Sequence, residues 1–141
     1  MQVDVAADRA AVFELLSDLR GYDDWLGESA AFRTVEVDGD APVGAGTRYR
    51  DVFQQRLAEG EVTRFEPPAR LAFREALGGG DATITTAYRL DELPGGTRVQ
   101  RDYRFRARGR ARYDLWRLRG EIRAENRRIL SRLRDHLGAA L

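Results

Sequence analysis

Three charged residues fall where strand alternation leaves little room for charge. In TRYRDVFQQ, Tyr49, Asp51 and Phe53 share one face, and Arg48 and Arg50 take the other. In LAFREAL, Leu71, Phe73, Glu75 and Leu77 share a face. In ATITTAYRL, Ile84 and Tyr88 bring Thr86 with them, and in TRVQRDYRF the set is Val99, Arg101, Tyr103 and Phe105. The apolar members must face a core, so Asp51, Glu75 and Arg101 point the same way. A bulge would reverse such an assignment. Arg64 has no assigned face, because Val62 and Phe65 cannot both point inward on a regular strand.

An unpaired charge in a dry core costs several kcal/mol, a large part of a domain's whole stability. These groups must therefore pair with one another or line a wet pocket. The plainer reading is a structural ion pair of Arg101 with Asp51 or Glu75. The chemical reading makes Glu75, Asp51 and Arg101 the catalytic candidates. A buried carboxyl with a raised pKa moves protons, and a guanidinium holds a carbonyl, a carboxylate or an enolate. Tyr49, Phe53, Phe73, Thr86, Tyr88 and Tyr103 would then form the ligand-contacting wall, with the tyrosines as hydroxyl donors.

Such a wall needs an element to close it. From Tyr113 to Leu137, Leu115, Leu118, Ile122, Ile129, Leu133 and Leu137 recur at helical spacing, with arginines filling much of the rest. That amphipathic helix, about 37 Å long, needs an apolar partner along its length. Most of the remaining chain reads as strands, so the partner is a sheet curved around it, and the space between is the candidate site. Asn126 interrupts the stripe and must be hydrogen-bonded, to backbone or to ligand. Trp25 and Trp116 fall at the helical edges of the presumed opening, as core filler or as surfaces on which a flat ligand stacks.

Composition narrows the chemistry. With 141 residues, the chain reads as one domain, residues 1–141, able to bury a real core. It has no cysteine and a single histidine, His136, so neither a thiolate nor an imidazole-rich metal site is expected. No metal and no cofactor is called for. No apolar run approaches a membrane span and the N-terminus lacks a signal-peptide core, so the expected location is cytoplasmic. Residues 1–100 carry 11 Arg and 18 acids, whereas residues 101–141 carry 13 Arg and 5 acids. The basic C-terminal stretch could touch nucleic acid or an anionic membrane; the favoured reading is a solvated helix face above an acidic body. The Ser131 and His136 pair has no third partner and Gly44–Gly46 precedes a strand, so neither a triad nor a dinucleotide fingerprint is present.

In order, Gln2–Val5 reads as a strand. Asp8 caps a helix carrying Val12, Phe13, Leu15, Leu16 and Leu19 that Gly21 closes, and GYDDWL is a second, very short helix. Period-two segments punctuated by Gly and Pro follow from Phe32 onward. The succession VFELLSDLRGYDDWL, PVGAGTRYRDVF, VTRFEPPARLAFRE, YRLDELPGGTRV and a long terminal helix resembles the polyketide cyclase/dehydrase and lipid-transport family of the START-like (SRPBCC) superfamily, over nearly the whole chain. The resemblance implies an α+β helix-grip fold. Its curved antiparallel sheet of six to seven strands would wrap around the long C-terminal helix, with two short helices after the first strand.

It also implies a hydrophobic cavity between sheet and helix for an aromatic, polyketide-like or lipid-like ligand, in a monomer or a homodimer. If the protein is an enzyme, the implied activity is polyketide cyclisation and dehydration by acid–base catalysis without metal. The alternatives are a non-catalytic lipid or quinone carrier, and an interaction module whose arginine-rich helix contacts RNA, ribosome or membrane.

Overall fold

The computed structural model describes residues 1–27, 32–53 and 56–139, with backbone only at residues 32–34, 53 and 56. Strand β1 (Gln2–Val5) is followed by helix α1 (Arg9–Ser17), a 3-10 turn (Leu19–Gly21) and helix α2 (Tyr22–Trp25). Then come β2 (Phe32–Val37), β3 (Arg48–Phe53), β4 (Arg56–Glu66), β5 (Arg70–Leu77), β6 (Ala82–Leu93), β7 (Gly96–Ala107) and helix α3 (Arg110–Leu137). The seven strands form one antiparallel sheet in the order β1-β7-β6-β5-β4-β3-β2. The sheet curves around α3, as a helix-grip fold requires. No helix among the described residues is long and apolar enough to cross a membrane.

Local chemistry sets the elements. The Asp8 carboxylate accepts from the Ala11 amide at 2.8 Å, satisfying a free N–H at the start of α1. The helix ends earlier than expected: it stops at Ser17, and a 3-10 turn, rather than a Gly21 cap, carries the chain into α2. In β4 the register shifts between Val62 and Arg64. That bulge turns both Val62 and Phe65 inward, where Phe65 meets Phe13 edge-on at 5.1 Å. Arg64 therefore points outward, beside Glu66.

Along α3 the packing divides in three. At the C-terminal end Leu130 and Leu133 join the main core with Val12, Leu16, Leu71 and Val99. At the N-terminal end Ala111 and Leu115 cover a smaller cluster of Ala58, Leu77 and Ala82. Between them the turns from Ile122 to Ile129 face hollow space. The helix starts at Arg110, three residues before the expected Tyr113, and its buried stripe runs through Ile122, Asn126, Leu130 and Leu133. Leu130 takes the place expected for Ile129, which is half-buried. The regular α-helical advance carries the buried stripe through i+4 steps from 122 to 130.

Candidate functional site: a polar hollow between sheet and helix

Two adjoining hollows of about 80 and 90 Å³ lie under the middle of α3. Asp51, Glu75, Thr86, Arg101 and Ile129 line both. The first extends to Tyr22, Tyr49, Phe73 and Tyr88, the second to Tyr103, Phe105, Glu125 and Asn126.

Strand register builds this wall. Across the sheet, Tyr49 of β3 pairs with Gly60 of β4, and Gly60 pairs with Glu75 of β5. Because Gly60 has no side chain, the Tyr49 ring lies over it and its hydroxyl donates to Glu75 Oε1 at 2.9 Å. A Cβ added at Gly60 would fall within the space of that ring. Tyr88 and Arg101 are partners between β6 and β7, a register set by the short Pro94-Gly95 connection. Arg101 Nη1 donates to the Tyr88 hydroxyl, and its Nε donates to Asn126 Oδ1 at 2.7 Å. Asn126 is itself fixed, since its amide donates to the Ile122 carbonyl one turn back, at 2.9 Å.

Asp51 and Glu75 are thus not paired with Arg101. No ion pair joins them among the described residues, so the structural-pair alternative does not hold. Asp51 is only 7% exposed, and its Oδ1 has no hydrogen-bond partner. Burial, reinforced by the Glu75 carboxylate, opposed by a hydrogen bond from the Val52 backbone N–H and helped weakly by Glu125, pushes its pKa up to about 8. Burial also raises Glu75, against the opposing pull of the Tyr49 hydroxyl and the Arg101 charge. The phenols of Tyr22 and Tyr49 are pushed well above their ordinary value, chiefly by burial, and remain donors. Two neighbouring carboxyls whose environments separate their protonation can act as acid and base on one ligand.

The other expected site residues divide. Tyr49, Phe73, Thr86, Tyr88, Tyr103 and Asn126 line one hollow or both. The side chain of Phe53 lies outside the described residues. Both tryptophans correct the expectation that they edge the opening. Trp25 is buried in the core, edge-on to Tyr22 at 5.3 Å, and lines neither hollow. Trp116 is 60% exposed and stacks on Tyr113 at 6.3 Å, because the first three turns of α3 carry it on the outer side of the helix.

Sequence reading also missed three wall residues. Tyr22, in the short GYDDWL helix, donates its hydroxyl to the Leu16 carbonyl, and its ring walls the first hollow. Glu125 adds a third carboxylate, held by Arg128 at 2.9 Å. Arg128 in turn donates to the carbonyls of Leu26 and Gly27, tying α3 to the end of α2. Phe105, already on the inward parity of β7, closes the second hollow edge-on to Tyr103 at 5.2 Å.

A long C-terminal helix gripped by a curved antiparallel sheet is the helix-grip fold of the START-like (SRPBCC) class. Within it, this chain belongs to the polyketide cyclase/dehydrase and lipid transport family, whose sequence model matches residues 1–138. No curated protein matches the chain in sequence. Among solved structures it is similar to DynU16 from the dynemicin biosynthetic locus (23% identity, TM-score 0.69), covering 97% of this chain and 45% of that one. It is similar to protein jhp0584 from Helicobacter pylori at 19% identity and TM-score 0.80, covering 97% and 85%. It is also similar to the di-domain ARO/CYC StfQ from the steffimycin biosynthetic pathway at 13% identity and TM-score 0.71, covering 97% and 43%. The chain thus spans less than half the length of DynU16 and of StfQ. At these identities the likeness is one of fold.

Proposed function

We propose that this protein binds a compact aromatic or polyketide-like molecule in the hollow under α3 and moves protons on it. The observation that carries the reading is the carboxyl pair of buried Asp51 and half-buried Glu75, which faces shared space with Arg101 and makes no ion pair among the described residues. The size of the hollows supports a ligand of about one ring. An apolar cavity of roughly 150 Å³ accommodates benzene, and a long acyl chain needs far more. The family supports cyclisation and dehydration as the reaction class.

The groups present fit that chemistry. Glu75, steadied by Tyr49, takes a proton from a carbon beside a carbonyl. The resulting enolate oxygen sits against the Arg101 guanidinium, and the carbon attacks a second carbonyl, forming the C–C bond. The new alkoxide takes a proton from Asp51, which burial keeps protonated near neutral pH. Loss of water then needs one proton removed from the adjacent carbon and one delivered to the departing hydroxyl; with the roles exchanged, the Asp51 carboxylate takes the first and the Glu75 carboxyl gives the second, which returns both groups to their starting states.

The test is a short poly-β-keto thioester followed by mass spectrometry for cyclised, dehydrated product. Glu75→Gln is expected to lower turnover by about 10²- to 10⁴-fold while ligand still binds, and Arg101→Met to do the same through the enolate. Binding without turnover in the parent protein, unchanged in both variants, would make it a carrier instead.

A further inference from the structure

Asp51 is the buried acid with no counter-ion. Its Oδ1 is shut off from solvent and accepts no hydrogen bond among the described residues, yet the side chain lines both hollows. Arg101, on the same face of the sheet, is committed elsewhere: its Nε to Asn126, its Nη1 to the Tyr88 hydroxyl. Its charge favours the Glu75 anion, but it is not among the influences on Asp51. The next cation, Arg128, is held by Glu125 and the carbonyls at the end of α2. Among the described residues three carboxyls and two guanidiniums therefore lie around this space, and Asp51 is the carboxyl left with no guanidinium beside it.

The wall beside Asp51 is aromatic. Tyr49 and Phe73 meet edge-on with centroids 6.1 Å apart, and Phe73 and Tyr88 meet edge-on at 6.4 Å. Tyr22 closes the side toward α2. Aromatic rings attract a cation through their quadrupole, most strongly where water is excluded, and an adjacent carboxylate neutralises it. A metal ion suits the place poorly, since no three ligating side chains among the described residues are grouped to hold one.

We infer that the hollow takes a ligand carrying a cationic nitrogen, an amine or quaternary ammonium on a small aromatic or alkyl body, seated against Asp51 and the rings of Tyr22, Tyr49 and Phe73, while the Tyr88 ring already carries the Arg101 guanidinium, 5.0 Å from its centroid. This rests on the reading that the hollow binds a small molecule. For such a ligand Asp51 anchors the cation as a carboxylate, in place of the proton donation it supplies to a neutral ligand, and Glu75 is left to move protons. Binding is proton-linked, because the cation displaces the proton that burial keeps on Asp51. Glu75 from β5 and Glu125 from α3 act on Asp51 in the same sense, opposing its ionisation until a cation arrives. The phenols of Tyr22 and Tyr49 stay protonated, and Tyr88 and Arg101 complete the surroundings.

The probes are benzylammonium and benzyl alcohol, alike in size and different in charge, titrated by calorimetry from pH 6 to pH 9 in two buffers of unlike ionisation heat (roughly spanning the Asp51 transition). Benzylammonium is expected to bind at least about tenfold more tightly at pH 8, with its advantage growing as pH rises and a proton released on binding. Asp51→Asn is expected to abolish that advantage, bringing benzylammonium down to the affinity of benzyl alcohol or below it. The same variant should be at least as stable as the parent at pH 8, so lost preference is not lost fold. Equal or tighter binding of the alcohol, or a preference that survives Asp51→Asn, overturns the inference and leaves the small-molecule reading standing. Binding of neither probe removes both.

Discussion

The two faces of the sheet treat the same residue types in opposite ways. On the outer face Arg98 of β7 grips Asp4 of β1 through two hydrogen bonds of 2.9 and 3.1 Å, and Arg98 holds the Asp4 carboxyl below its usual range. Arg50 lies 3.3 Å from Glu36, and Arg89 lies 3.1 Å from Asp91. Three residues beyond Arg98 on the same strand, Arg101 points inward and makes no such pair. It is spent on neutral partners, while Asp51 and Glu75 are pushed up by burial. Several outer charges are matched within the chain, whereas the inner acids Asp51 and Glu75 make no ion pair among the described residues. The difference teaches that the inner acids are not there to hold the fold together, since the chain has matched pairs for charges that need only a partner.

The largest test of that contrast is the pH dependence of stability. Asp51 titrates near 8 folded and at 3.8 unfolded, so between those values the folded state holds a proton that the unfolded state has lost. Stability should therefore fall as pH rises from about 4 to about 8, with Glu75 contributing in the same direction. Asp51→Asn should flatten much of this decline in denaturant titrations, and at pH 8 the variant should be the more stable protein. A parent protein whose stability rises over that range would break the comparison.

A smaller effect is expected at Gly60. The added methyl of Gly60→Ala must displace the Tyr49 ring, an overpacking cost of about 1–3 kcal/mol. Losing the Tyr49 hydroxyl should also raise the apparent pKa of Glu75, since that bond favours its anion. The joint readout is a lower Tm with a shifted pH–rate profile, and a lower Tm alone would leave Gly60 with a packing role only.

The smallest effect belongs to the outer face. Asp4→Asn removes a well-formed but solvent-exposed pair, and such pairs contribute little. Its denaturant midpoint should barely move at neutral pH, and less still in high salt. A large loss would mean that the outer pairs hold the sheet and that the two faces differ less than their geometry says.

Much of this was legible in the sequence. Alternation alone placed Asp51, Glu75 and Arg101 on one parity, because each shares a strand with several large apolar neighbours. The family resemblance carried by five segments of the sequence implied the helix-grip fold, which the seven-stranded sheet and α3 form. What stayed hidden depends on pairings that alternation does not encode. The Tyr49–Glu75 bond crosses an intervening strand and needs the register of two ladders at once. The bulge between Val62 and Arg64 left no mark except two inward residues of opposite parity. Trp116 was misplaced because a long helix has a fully solvated side on which a large aromatic is tolerated when an arginine covers it, and Arg119 lies 4.4 Å from its ring. The partners of Arg101 were partly readable, since the Pro94-Gly95 turn fixes Tyr88 opposite it, but Asn126 comes from α3 and could be placed only through tertiary packing.

The most direct measurement is the ionisation of Asp51 itself, followed through its side-chain carboxyl carbon by ¹³C NMR in the ligand-free protein. The expected result is a midpoint near 8 that drops when an ammonium ligand is added. A midpoint near 3.8, unchanged by ligand, would mean that Asp51 already has its counter-charge within the chain, and the contrast between the two faces would be gone.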